Sequence, residues 1–190
     1  MTDNRILTLP NLVTFTRLLG VGVFWWVLLV QEDIVLAAWF IFAIGWTDWI
    51  DGYLARRLNQ VSKLGKTLDP VADRLLIFSA LVGGLIMDVI PPVIGYLLLA
   101  RELLMAVVAL VLVSKGHGTL EVRYLGKLAT FLIYGSIPAF YLAAAGVLPE
   151  LMAPAAWISG IVGLVLYWYT AFLYIGDARR LMAGLESRQP

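Results

Sequence analysis

Long apolar blocks alternate with short polar stretches along this chain. A helix that crosses a bilayer needs roughly 20 apolar residues. The pattern predicts six such helices. The first covers about Leu12 to Val30. The second starts near Ile34, stays apolar to about Trp46 and then runs into a charged segment. The third covers Ala72 to Val89. Pro91 and Pro92 open the fourth, which ends near Ser114. The fifth covers Tyr124 to Ala145 and the sixth Ala155 to Ile175. Breakers fall between the blocks: Gly116 and Gly118, Gly146 with Pro149, and Pro154.

Basic residues are distributed unevenly. Arg5 precedes the first block. Arg56, Arg57, Lys63, Lys66 and Arg74 lie between the second and third. Lys115, Arg123 and Lys127 lie around the start of the fifth, and Arg179, Arg180 and Arg188 follow the sixth. The stretches Gln31 to Asp33, Asp88 to Pro92 and Gly146 to Pro154 carry no Lys or Arg. Positive charge therefore occupies alternate loops, as the positive-inside rule requires for an even number of spans with both termini cytoplasmic. The expected fold is an all-α integral membrane protein with six transmembrane helices, forming one domain over residues 1–190.

Composition agrees. The chain is 61% hydrophobic and only 14% charged, against about 25% charged in soluble domains. A net charge of +1 gives no reason to expect nucleic acid, and the absence of cysteine excludes disulfides and thiol chemistry. The first apolar block has no small-residue cleavage site near its end, so it is expected to be a retained helix rather than a signal peptide.

Two basic residues fall inside apolar blocks, Arg17 and Arg101. A charge at membrane depth costs about 2.5–3.5 kcal/mol on insertion scales and usually faces a polar cavity. Snorkelling would account for Arg17, close to the cytoplasmic end. It accounts poorly for Arg101 at mid-helix, although Glu102 beside it offers a local partner. A functional role stays open for both.

The densest chemistry lies in the 26 positions from Asp48 to Asp73, which hold four aspartates of a chain with 13 acidic residues. On a helix, Asp48 and Asp51 lie about 60° apart, with Gly52 and Ala55 on the same face and Arg56 at its edge. Asp69 and Asp73 are four residues apart and share a face of the next helix. Four bare carboxylates brought together would repel and partly protonate. Two divalent cations would balance them, and oxygen-only ligands suit Mg²⁺, Mn²⁺ or Ca²⁺. Small residues beside them would let a phosphate or ring approach the backbone, and Arg56 could grip phosphate oxygens. The same residues also admit blander readings. Asp48 and Asp51 could be a polar helix end, Asp69-Pro70 a helix start with Pro at the first position, or the four carboxylates a cation path.

The pattern Asp-x2-Asp-Gly-x2-Ala-Arg-x8-Gly-x3-Asp-x3-Asp resembles, at every specified position, the signature of the CDP-alcohol phosphotransferases. The resemblance extends over the whole chain, including the lead Leu9-Pro10-Asn11-Leu12-Val13-Thr14. It implies a homodimeric enzyme of the cytoplasmic membrane, its site facing the cytoplasm, that displaces CMP from CDP-diacylglycerol with the hydroxyl of a second alcohol. It implies Asp48, Asp51, Asp69 and Asp73 as ligands of Mg²⁺ or Mn²⁺, two ions in all, and Asp73 as the general base. Asp51, Gly52, Ala55, Arg56, Gly65, Asn11 and Thr14 would form the CDP site, with Gly65 allowing a close turn beneath the nucleotide.

Arg101, Arg123 and Lys127 are the basic candidates for the acceptor. Members that use glycerol 3-phosphate often carry a second lysine where Ala129 stands. The stretch Gly126 to Phe131, with Arg5 to Asn11 and Tyr167-Trp168-Tyr169, looks more like the bacterial cardiolipin synthases of the family, which use phosphatidylglycerol. Glycerol 3-phosphate is the alternative acceptor, and a small cation transporter or a structural membrane subunit are the alternatives of another class. Tyr167, Trp168 and Tyr169 taken alone read as interfacial anchors and packing.

Overall fold

A computed structural model describes the backbone of residues 9–44, 63–116 and 123–186, and side chains at 15–44, 72, 74–116 and 123–184. The regular structure of the described residues is all helical. In chain order the helices are α1 (Leu9–Leu29), α2 (Ile34–Ile44), α3 (Lys63–Ile86), α4 (Pro92–Ser114), α5 (Tyr124–Ala144) and α6 (Pro149–Glu186). Among the described residues three of them, at Pro92–Ser114, Tyr124–Ala144 and Pro149–Gly184, are long and apolar enough to cross a membrane. Three shorter apolar stretches lie at Phe15–Leu29, Ile34–Ile44 and Arg74–Ile86.

Local signals account for most of the boundaries. Asp33 caps α2 by accepting the amide of Leu36 at 2.8 Å, the N-cap bond that a short acidic side chain makes readily. Pro92 starts α4, where a missing N–H leaves nothing unpaired. α5 ends in a Schellman closure: Gly146, at φ 76°, bonds Ala143, and Val147 bonds back to Leu142 at 2.9 Å.

Two helices run longer than their apolar blocks. α3 begins at Lys63 rather than Ala72, so Asp69 and Pro70 lie inside it and do not form its start. α6 begins at Pro149 and continues to Glu186. Pro154, expected as a breaker, sits within this helix. Pro154 and Glu150, whose carbonyl it leaves without a helical donor, are both exposed near the helix end, where solvent can take that carbonyl.

The helices pack as a bundle. α5 lies along α6, α1 along α3, and α4 contacts both α6 and α3. Phe24 and Leu28 of α1 face inward and are fully buried, while Phe15, Leu19, Val23 and Trp26 form an exposed apolar stripe. Where α1, α3 and α5 meet, Tyr141 is fully buried and its hydroxyl donates to the Ala80 carbonyl at 2.7 Å. Gly83 permits that approach. A Cβ there would lie 2.6 Å from a Leu28 methyl and 3.2 Å from the Tyr141 oxygen. Small residues that let helices approach closely are the usual device where no hydrophobic force separates protein from lipid.

Candidate active site

α3 carries the second half of the acidic motif. Asp69 and Asp73 occupy one face of it by position, one turn apart. Gly65 lies in its first turn, as helix and not as a separate turn. Asn11 and Thr14 lie in the first turns of α1. Asp48, Asp51, Gly52, Ala55 and Arg56 are outside the described residues, as are the side chains of Asn11, Thr14, Asp69 and Asp73. Arg74 follows Asp73 in sequence, where the apolar half of the helix begins.

Arg74 leads to a cluster built by three helices. Its guanidinium pairs with Oε2 of Glu102 in α4. Oε1 of the same carboxylate takes Nη1 of Arg101 at 2.8 Å and the hydroxyl of Tyr167 from α6. The Tyr167 ring lies under Arg101, with the guanidinium carbon 3.5 Å from its centroid, a distance at which the ring quadrupole attracts the cation. Arg101 and Glu102 are both buried. Arg101 therefore does not snorkel, and neither does Arg17, which is 4% exposed.

Two members of this cluster escape a reading of the sequence. Glu102 is more than a local partner of Arg101, because it also reaches Arg74 and Tyr167. Tyr167 is buried among charged groups and is not an interfacial anchor, whereas Tyr169 beside it is half exposed. The available signal was an Arg-Glu pair in the middle of the most apolar span, since buried charges at membrane depth pair with one another.

Arg123 meets α6 two turns beyond Tyr167. Arg123, just ahead of α5, donates its backbone N–H to Tyr174 at 3.0 Å and pairs through Nη2 with Asp177 at 2.6 Å. The hydrogen bond and the charge of Asp177 raise the Arg123 guanidinium above its ordinary pKa. Tyr167, Tyr174 and Asp177, seven and three residues apart, fall on one side of α6, so the Arg101 cluster and the Arg123 pair share a helix face without touching through any described contact. Lys127 is exposed in the first turn of α5, and Ala129 is fully buried.

Residues 7–174 match the family described as CDP-alcohol phosphatidyltransferase. The chain is 38% identical to "Cardiolipin synthase (CMP-forming)" of Streptomyces coelicolor over 189 residues, covering 94% of this chain and 86% of that protein. It is 33% identical to "Probable phosphatidylglycerophosphate synthase" of Mycobacterium tuberculosis (strain ATCC 25618 / H37Rv), covering 96% and 87%. It is 34% identical to "CDP-diacylglycerol--glycerol-3-phosphate 3-phosphatidyltransferase" of Bacillus subtilis, covering 65% and 70%.

Proposed function

Since the chain belongs to the CDP-alcohol phosphatidyltransferase family, we propose that it transfers the phosphatidyl group of CDP-diacylglycerol to phosphatidylglycerol, giving cardiolipin and CMP. That it is a phosphatidyltransferase of phospholipid synthesis follows from the family. The choice of acceptor is the step beyond it. One observation carries that choice: Ala129, where users of glycerol 3-phosphate often hold a lysine, is fully buried. The Streptomyces relative's name points the same way. Glycerol 3-phosphate is the second reading, favoured by the names of the Mycobacterium and Bacillus relatives.

Asp48, Asp51, Asp69 and Asp73 would hold Mg²⁺ or Mn²⁺, two ions for four carboxylates. The donor set fits: it is all oxygen, and two of its members sit one turn apart on α3. When bound, divalent metal neutralises the pyrophosphate and stabilises the departing CMP. Arg56, with Gly52, Ala55, Gly65, Asn11 and Thr14, would seat the CDP moiety. Asp73 takes the proton of the acceptor hydroxyl. The freed oxygen attacks the phosphorus that bears the diacylglycerol, and the bond from that phosphorus to the CMP oxygen breaks. A single displacement of this kind needs no covalent enzyme intermediate. Arg101, Arg123 and Lys127 would serve the acceptor phosphate.

Six spans with both termini cytoplasmic, in the cytoplasmic membrane, are the arrangement that fits the basic loops. α3 then enters the bilayer with its polar half, Asp69 and Asp73 included, toward the cytoplasm, where water-borne CDP meets acyl chains. The exposed apolar faces of α1, α4 and α6 meet lipid or the second subunit of a homodimer. A cation transporter would carry matched broken helices, whereas the described helices run through as single segments. CMP release with each acceptor supplied separately tests the reading.

A further inference from the structure

The outer face of α6 changes character along one line. Leu151, Ile158, Val165 and Phe172 follow one another at steps of seven residues and are exposed at 61, 66, 63 and 64%. Seven residues are close to two helical turns, so these side chains form one slowly turning stripe on the outside of the bundle. From Leu151 to Phe172 the helix rises about 31 Å at 1.5 Å per residue, which matches the roughly 30 Å hydrocarbon core of a bilayer. The next step of seven is Arg179, which is exposed, with Arg180 exposed beside it.

The cations of the bundle divide into two groups. Arg74, Arg101 and Arg123 are paired with carboxylates, and Arg17 and Lys115 also have partners. The side chains of Arg179, Arg180 and Lys127 make no ion pair or hydrogen bond among the described residues. These three stand at one end of the bundle, because the Arg123–Asp177 pair sets the start of α5 beside this part of α6. A free guanidinium in line with a lipid-facing stripe stands where lipid phosphates begin. Its aliphatic stem can lie along the apolar surface while the charged head reaches the headgroups, where it grips phosphate oxygens through paired N–H donors. A water-soluble partner would meet the arginines but not the stripe that leads to them.

We propose that Arg179 and Arg180 bind the phosphates of anionic phospholipids at the bilayer surface, forming a lipid site on the outside of α6 apart from the reacting substrates. Lys127, which the acceptor reading already uses, is not needed for it. A zwitterionic lipid brings the same phosphate with its own compensating cation, so the site prefers headgroups of net negative charge. It keeps an anionic lipid against α6 when the composition of the bilayer varies. The site requires that α6 cross a bilayer, as in the arrangement proposed above, and is independent of which alcohol accepts the phosphatidyl group.

The chain has no cysteine, so Phe172→Cys carries a single bimane label on the stripe, two turns before Arg179. The labelled full chain is placed in phosphatidylcholine vesicles with rising fractions of a brominated lipid, either phosphatidylserine or phosphatidylcholine, and no CDP-diacylglycerol. Quenching of the label reports which lipid lies against it. Brominated phosphatidylserine is expected to compete about fivefold better than brominated phosphatidylcholine, the scale of one cation near an anionic surface. Arg179→Gln with Arg180→Gln should bring that ratio to within about twofold of equality, and high salt should lower it in the labelled protein that keeps both arginines. Equal quenching by the two lipids with both arginines present, or a ratio that the double variant leaves unchanged, would overturn the proposal. Quenching by neither lipid would mean that a second copy or another chain covers the stripe, and would overturn it too. If the double variant does not fold, a ratio that high salt fails to lower overturns it equally. Protein that releases no CMP yet keeps the ratio would remove the proposed reaction and leave the lipid site standing.

Discussion

Arg123 and Asp177 form an ion pair at 2.6 Å that ties the start of α5 to α6. The pair changes what Arg123 can offer to a substrate, because its charge is already met by a carboxylate. If Arg123 serves the acceptor phosphate, the two partners should act with opposite signs. Arg123→Gln is expected to raise acceptor KM, and Asp177→Asn to lower it by releasing the guanidinium. An exposed pair of this kind adds little to stability, so both variants should unfold close to the wild-type temperature. Acceptor KM and a thermal scan of each variant check this. Equal KM values in all three proteins would leave the pair with no role in acceptor binding.

The meeting point of α1, α3 and α5 should be sensitive for a different reason. Tyr141→Phe removes the hydrogen bond to the Ala80 carbonyl and is expected to cost about 1 kcal/mol. Gly83→Ala pushes a methyl group against Leu28 and Tyr141 and should cost roughly 1–3 kcal/mol. Thermal unfolding in detergent, read against wild type, measures both. Neither residue lies in the proposed site, so the specific activity of the folded fraction should be retained.

Metal dependence follows from the carboxylates. Chelation with EDTA is expected to abolish CMP release, with recovery on adding Mg²⁺ or Mn²⁺. Asp69→Asn should weaken the metal requirement curve, shifting half-activation to higher Mg²⁺ concentration. Titration of activity against free Mg²⁺ separates that shift from a loss of kcat.

Much of this architecture is legible in the sequence, for identifiable reasons. The bounds of α4 and α5 agree with the apolar blocks to within a residue because Pro92 and the glycines at 116 and 146 stop or start the helix where the hydropathy changes. The start of α3 and both ends of α6 were misread because hydropathy reports where lipid can be, and a helix can continue beyond it. Asp69-Pro70 looked like a beginning for the same reason, although seven residues of helix reach from Lys63 to Asp69. Among the described residues three helices reach full spanning length, and the described apolar parts of α1, α2 and α3 are shorter.

The site was legible as a linear pattern and illegible as a constellation. Asp69 and Asp73 are four apart, so their shared face could be read directly. The partnership of Glu102 with Arg74 and Tyr167 spans 28 and 65 positions, and no local periodicity encodes it. Only the oddity of Arg101-Glu102 inside an apolar helix hinted at it. Tyr167 looked like an anchor because Trp and Tyr are enriched at membrane interfaces; its ring under Arg101 and its hydroxyl on Glu102 give it another role.

The most direct test of the central claim is CMP release by the purified protein from CDP-diacylglycerol and Mg²⁺, with phosphatidylglycerol and glycerol 3-phosphate supplied in separate reactions and Asp73→Asn alongside. The predicted result is release with phosphatidylglycerol, little with glycerol 3-phosphate, and a loss of at least about 100-fold in the variant, the lower range for a general base. Release with glycerol 3-phosphate alone, or undiminished release by Asp73→Asn, would contradict it.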